Sequence, residues 1–218
     1  MIGLGMRYYG NIEDRYDIDY YSFRLTKPGK VTFNFRHPYR ATGFDQWAIK
    51  ISNQNGDIVH SMNVDGYSTS KSMTPLGLPA GTYYISIDGY SYSYWSSATY
   101  NFAVSSSPTS VWETEFNDQR GSADLINLKT RYYGNIRDRY DIDYYKFRLT
   151  SSKRVTLNFK HPYRATGFGQ WDVSIYNQDG RVVASMDVNG YATSKNMSVS
   201  LSPGSYYVCV DGYSNSYW

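Results

Sequence analysis

The chain repeats itself. Arg7-Tyr-Tyr-Gly-Asn-Ile and Asp14-Arg-Tyr-Asp-Ile-Asp-Tyr-Tyr return as Arg131-Tyr-Tyr-Gly-Asn-Ile and Asp138-Arg-Tyr-Asp-Ile-Asp-Tyr-Tyr. The copy runs on through His37-Pro-Tyr-Arg-Ala-Thr-Gly-Phe and its match at His161, and through Asp88-Gly-Tyr-Ser-Tyr-Ser-Tyr-Trp against Asp211-Gly-Tyr-Ser-Asn-Ser-Tyr-Trp. A period of roughly 124 residues is far longer than a solenoid unit, so each copy is expected to be a domain with its own core. The fold must therefore be one that closes within about a hundred residues and is built twice.

Within each copy the apolar residues alternate with period two. Tyr21, Phe23 and Leu25 form one such face, Val31, Phe33 and Phe35 a second, Trp47, Ile49 and Ile51 a third, and Tyr83, Ile85 and Ile87 a fourth. The second copy repeats them at Tyr145-x-Phe147-x-Leu149, Val155-x-Leu157-x-Phe159, Trp171-x-Val173-x-Ile175 and Tyr206-x-Val208-x-Val210. Alternation of this kind marks strands with one buried face. Asn55-Gly56 and Asp179-Gly180 sit between such runs and read as type I′ hairpin turns. No stretch has the 3.6-residue period of an amphipathic helix. The expected fold class is all-β, two tandem antiparallel jelly-roll-like β-sandwiches. Ser105-Ser-Ser-Pro-Thr-Ser reads as a linker, which places the domains at residues 1–107 and 108–218.

The 25 Tyr, 9 Phe and 18 Gly suit sheets and turns. A net charge of +3, with both signs dispersed, argues against a nucleic-acid partner. The one cysteine, Cys209, excludes an intradomain disulfide and the C-x-x-C metal and redox patterns. It replaces Ser86 at an outward position, where a thiol could link two chains or sit buried in an interface. No apolar run is long enough to span a membrane.

Catalytic signatures are absent. His37 and His161 are one position in two copies, each followed by Pro-Tyr-Arg, and are expected to bond backbone rather than move protons. His60 becomes Ala184 in the second copy. No Gly-x-Ser-x-Gly, His-Glu-x-x-His or phosphate loop occurs. The acids Asp17/Asp19 and Asp141/Asp143 lie two apart on a strand and so share a face, which fits metal or hydrogen-bond roles better than a carboxylate pair flanking a substrate. The chain is expected not to be an enzyme.

Glu113-Thr-Glu-Phe-Asn-Asp, Gly134-Asn-Ile, Asp141-Ile-Asp-Tyr-Tyr-Lys-Phe, Trp171-Asp-Val-Ser-Ile, Asp179-Gly180 and Gly204-Ser-Tyr-Tyr-Val-Cys-Val follow one another in an order that resembles the bacterial pre-peptidase C-terminal domain family. That family includes the collagen-binding modules of clostridial collagenases. The resemblance covers nearly the whole chain, since the first copy carries the same series from Gly10 to Ile87. It implies non-catalytic β-sandwiches of secreted or surface proteins, and a calcium site in the second copy made by Glu113, Glu115, Asn117, Asp118, Asp141 and Asp143. Carboxylates and an amide are the oxygen ligands calcium takes. The first copy keeps Asp17 and Asp19 without the acidic opening, so its site is incomplete.

Partner contacts are expected at exposed aromatics and the near-invariant loop: Tyr39, Arg40, Tyr163, Arg164, Tyr92, Tyr94, Trp95, Tyr217 and Trp218. The first copy has no counterpart of residues 112–127 before it, and the second none of residues 96–104 after it. Each sandwich then lacks an outer strand, completed either by more of the same chain or by neighbours. Two functions follow. One is a self-assembling extracellular or cell-surface fibre component whose copies pair head to tail. The other is a module that binds a polysaccharide, a collagen-like polymer or cell wall, with avidity from duplication.

Overall fold

The period-two runs become strands in the computed structural model, which describes residues 1–91, 94–137 and 140–212. Those residues hold sixteen strands and no helix. The chain divides into two compact units, Met1–Glu115 and Phe116–Trp218.

The first unit contains β1 (Arg7–Gly10), β2 (Ile18–Leu25), β3 (Gly29–Arg36), β4 (Asp45–Asn53), β5 (Ile58–Asp65), β6 (Ser70–Ser72), β7 (Leu76–Leu78), β8 (Gly81–Gly89) and β9 (Tyr100–Pro108). One sheet runs β1-β9-β3-β6, with β7 also on β3, and the other runs β2-β8-β4-β5. Every pairing is antiparallel. Their inner faces are the alternating residues: Phe23, Val31, Phe33, Phe35, Trp47, Ile49, Ile85 and Ile87 are all buried. β9 adds Tyr100, Phe102 and Val104, and its rings pack on β3, with Phe33 to Phe102 at 5.4 Å and Phe35 to Tyr100 at 5.2 Å.

The second unit contains β10 (Asp124–Leu125), β11 (Ile142–Leu149), β12 (Lys153–Lys160), β13 (Gly169–Asn177), β14 (Val182–Asn189), β15 (Ser194–Leu201) and β16 (Gly204–Gly212). One sheet runs β10-β11-β16-β13-β14, and β12 pairs with β15. The only parallel pair among the described residues is β10 on β11. β15 is a single strand where the first unit has β6 and β7. Pro75, which has no N–H to give a ladder, interrupts the first copy; Val199 continues the second. Val155, Leu157 and Phe159 on β12 are only half-buried, whereas Val31, Phe33 and Phe35 on β3 are sealed under β9.

Two details differ from the sequence expectations. The hairpins after β4 and β13 form, but not with type I′ turns: Gly56 and Gly180 have positive φ, while Asn55 and Asp179 do not. Asn53 Oδ1 accepts the Asn55 and Asp57 amides at 2.9 and 3.0 Å, and Asn177 Oδ1 accepts those of Asp179 and Arg181 at 3.1 and 2.9 Å. The asparagine thus locks a four-residue turn ending in a left-handed glycine, and a register shift follows it. Also, Ser105–Pro108 continues β9 rather than forming a linker, because β3 supplies a ladder to it as far as Gly29 opposite Pro108. Tertiary pairing overrides the weak strand preference of serine.

Candidate functional site

The acidic opening of the second copy is the first candidate. Glu113, Glu115, Asn117, Asp141 and Asp143 are all buried. Glu115, Asp118 and Asp141 each place a carboxylate oxygen within 4.8 Å of the others; Glu113 and Asp143 fall outside that set. Local bonds fix the positions. The Tyr144 amide on β11 donates to the Asn117 carbonyl at 3.0 Å, and the Ile142 amide reaches Asp118 Oδ1 at 3.5 Å. Arg137 lies against the group, 3.0 Å from Asp141 Oδ1 and 3.7 Å from Asp118 Oδ1, and its backbone amide donates to Asp141 Oδ2. Burial holds the Asp141 carboxyl above its ordinary range, although the bonds and charge of Arg137 pull it down. The Asn117 side chain is fully buried, and neither its Oδ1 nor its Nδ2 has a hydrogen-bond partner among the described residues. A buried amide left this way is destabilising unless something further binds it. Three converging carboxylates and an unpartnered amide oxygen fit a hard divalent cation.

The first copy solves the same problem with its own donors. Asp17 accepts the Glu13 amide at 2.7 Å, and Asp19 accepts the Tyr100 hydroxyl from β9. Tyr100 in turn meets the Tyr21 hydroxyl at 3.1 Å, and burial, then the bond to Asp19, raises its hydroxyl well above the usual phenol range.

The second candidate is the repeated aromatic loop. Tyr39 stacks with Tyr67 at 6.4 Å, and Tyr163 with Tyr191 at 6.5 Å, and Tyr39 and Tyr163 are each 62% exposed. The loop backbone is tied to the turn that carries the second ring. Arg40 N donates to Gly66 O at 2.8 Å and Gly66 N to Thr42 O at 3.1 Å; Arg164, Gly190 and Thr166 repeat the pattern at 2.9 and 3.1 Å. A Cβ on Gly43 or Gly167 would stand 2.9 Å from Cε2 of Tyr67 or Tyr191, so each tyrosine ring edge uses the space a bare glycine leaves. Phe44 and Phe168 are exposed beside them, and Tyr94 stacks on Phe44 at 4.6 Å. Of the predicted contact residues, Tyr39, Arg40, Tyr94, Tyr163 and Arg164 are exposed, and Arg164 also lies over the Trp171 ring. Trp95 is half-buried against Gly89. Tyr92, Tyr217 and Trp218 lie outside the described residues. Tyr67, Tyr191, Phe44 and Phe168 were missed as contact residues, although the repeated Gly66-Tyr67 and Gly190-Tyr191 turns were a readable signal.

The two repeated histidines are packed inside their units. His37 and His161 are buried, with Nδ1 2.8 Å from the carbonyls of Pro38 and Pro162, and their rings pack on Trp47 and Trp171 at 4.3 and 4.2 Å. Cys209 is buried too, and desolvation pushes its thiol up to about 11 against a bond from Tyr144. A thiol so placed is not available to link chains, contrary to one of the two expectations for it.

No family model matches the sequence, and no curated protein matches it. Among solved structures, the chain is similar to the pre-peptidase C-terminal domain of collagenase from Bacillus anthracis, at 15% identity over 47% of this chain and 90% of that one, with a TM-score of 0.39. It is also similar to the PBSX exported protein XepA, at 11% identity over 97% and 88%, with a TM-score of 0.32. A third is the N-terminal CBM22-1–CBM22-2 tandem domain of Xyn10C from Paenibacillus barcinonensis, at 12% identity over 95% and 79%, with a TM-score of 0.28. Likenesses at this level transfer no ligand, activity or partner.

Proposed function

We propose that this is a non-catalytic extracellular attachment module that holds an insoluble polymer through two copies of one exposed aromatic platform. The observation that carries the reading is the pairing of Tyr39 with Tyr67, repeated in the same geometry by Tyr163 and Tyr191. Paired rings exposed to solvent and flanked by Arg, Thr and Ser are suited to stack on sugar rings or on extended chain. Two sites on one chain gain avidity on a repetitive ligand. The packing of His37 and His161 against Trp47 and Trp171, buried within each unit, supports a role without chemistry.

The same proposal gives the acidic cluster a structural task. Calcium held by Glu115, Asp118, Asp141 and Asn117 Oδ1 would pin the acidic segment from Glu115 to Asp118, adding its charge to that of Arg137. In a retention assay on insoluble cellulose, chitin, xylan, peptidoglycan and collagen, the chain is expected to stay on at least one. Tyr39→Ala with Tyr163→Ala should weaken that retention about tenfold, since each stacked ring contributes about 0.5–1.5 kcal/mol. Release of the unaltered chain from all of them would end the reading.

Assembly of copies head to tail is the second reading. It is favoured by Leu157 and Phe159 of β12, apolar side chains left half-buried that a partner strand would cover. Light scattering should then give a mass that grows with concentration; a constant monomer mass would dismiss it.

A further inference from the structure

The paired tyrosines carry chemistry of their own, apart from any polymer. Tyr39 lies in the loop after β3 and Tyr67 in the turn after β5; Tyr163 and Tyr191 repeat this after β12 and β14. The rings are near-parallel, at 23° and 27°, with centroids 6.4 and 6.5 Å apart. That separation is within the range of rings in contact. Exposure matches between the units: 62% for Tyr39 and Tyr163, 58% for Tyr67 and 59% for Tyr191. None of the four hydroxyls has a hydrogen-bond partner among the described residues, so each meets solvent as a phenol with its proton free to leave.

Other tyrosines lack one part or another of this arrangement. Tyr9 and Tyr20 are 66% and 71% exposed but touch no other ring among the described residues. Tyr144 and Tyr176 meet at 6.4 Å, yet they cross at 47° and are half-buried. Tyr21 and Tyr100 bring their hydroxyls to 3.1 Å, but Tyr100 is sealed in the core.

We infer that Tyr39–Tyr67 and Tyr163–Tyr191 are sites of oxidative phenol coupling, each closed to a dityrosine by hydrogen peroxide acting through a haem peroxidase. Each phenol gives up one electron and one proton and becomes a phenoxyl radical. The two radicals join by one new carbon–carbon bond between ring carbons next to the hydroxyls. The hydrogens on those carbons move to the oxygens as both rings regain aromaticity. One peroxide takes up the two electrons and two protons, its O–O bond breaks, and it becomes two waters, so the joined pair is two hydrogens lighter. A ring held beside its partner acts at an effective concentration of the order of mM, about a thousandfold above a micromolar solution of the chain. Exposed side chains change rotamer within ps–ns, so the last approach of the rings is fast. The bond would tie the loop after β3 to the turn after β5, where two backbone bonds between residues 40–42 and Gly66 already hold them together. The single cysteine leaves no disulfide to do this within a unit.

The inference uses the rings of the attachment reading but not its polymer, because the link is read as covalent mass with no polymer present. The 218-residue chain at micromolar concentration is treated with a haem peroxidase and peroxide, digested, and mapped by mass spectrometry. The peptides holding Tyr39 and Tyr67 should be joined, as should those holding Tyr163 and Tyr191, each pair two hydrogens light. Links within a chain should exceed links between chains about a hundredfold or more. Tyr39→Phe should abolish the first link and spare the second, and Tyr20→Phe should spare both. In urea, which separates the rings, the selectivity should vanish. Links scattered over Tyr9 and Tyr20, links found only between chains, no link at all, or the same pattern in urea each overturns the inference.

Discussion

Replacing Arg137 with glutamine tests the acidic cluster most directly. The guanidinium is 14% exposed and bonds Asp141 Oδ1 at 3.0 Å, while the Asp141 side chain has no exposure at all. Removing one partner of a fully buried pair costs about 3–5 kcal/mol. Here the arginine keeps some solvent and its backbone amide still serves Asp141, so about 2–3 kcal/mol is expected. For a unit of this size that lowers the melting temperature by roughly 10–20 °C. A cation held by Glu115, Asp118, Asp141 and Asn117 would restore most of it, because a ligand at about a hundred times its Kd returns about 2.7 kcal/mol. Scanning calorimetry in EDTA and in excess calcium reads both effects. The variant should melt low in EDTA and recover in calcium, by more than the unaltered chain shifts, since Arg137 no longer opposes the ion. Asn117→Ala in the same background should lose part of the recovery, which assigns the transition to the second unit. An equal drop with and without calcium refutes the metal. No drop at all refutes the view that Arg137 holds buried charge.

Gly77→Ala puts a Cβ 1.5 Å from the Glu113 carbonyl and threatens the 2.9 Å bond from Glu115 N to Gly77 O, so it should destabilise by more than about 1 kcal/mol and shrink any calcium shift; stabilisation, the usual sign of a tolerated Gly→Ala, would contradict the packing. Gly43→Ala meets only the exposed ring of Tyr67, so chemical denaturation should change by less than about 1 kcal/mol while polymer retention falls. Cys209, raised from 9.0 to about 11, should react with a thiol reagent at pH 8 about a hundredfold more slowly than a free cysteine. Because the folded value lies above the unfolded one, its contribution is intact below pH 9 and drains as pH climbs to 11, by about 2–3 kcal/mol in urea melts; Cys209→Ser should flatten that slope.

The fold was legible because side-chain alternation reports burial directly. Phe33, Phe35, Trp47, Ile49 and Ile85 were placed on inner faces by spacing alone, and all are buried. Ser105–Pro108 was not, since what makes it a strand is the ladder offered by β3, a partner about seventy-five residues away in sequence. The turn after β4 was misjudged for a local reason: Asn55-Gly56 suits type I′, but the Asn53 side chain captures two amides first. Burial of Glu113, Glu115 and Asp143 could not be read from residue types that are normally exposed, and Arg137 inside the cluster had no sequence signal except its divergence from Glu13.

That divergence decides how the duplication should be understood. The Asp-x-Asp pair is identical in the two copies, yet its surroundings are not. In both units a backbone amide donates to the first aspartate, and in the first unit a tyrosine from β9 bonds the second. In the second unit an arginine and an acidic opening surround it, and a buried amide beside them is left without a partner. The aromatic loops alone keep both residues and geometry, ring edge against glycine and ring beside ring. Shared surroundings, not shared residues, therefore mark what the two copies have in common.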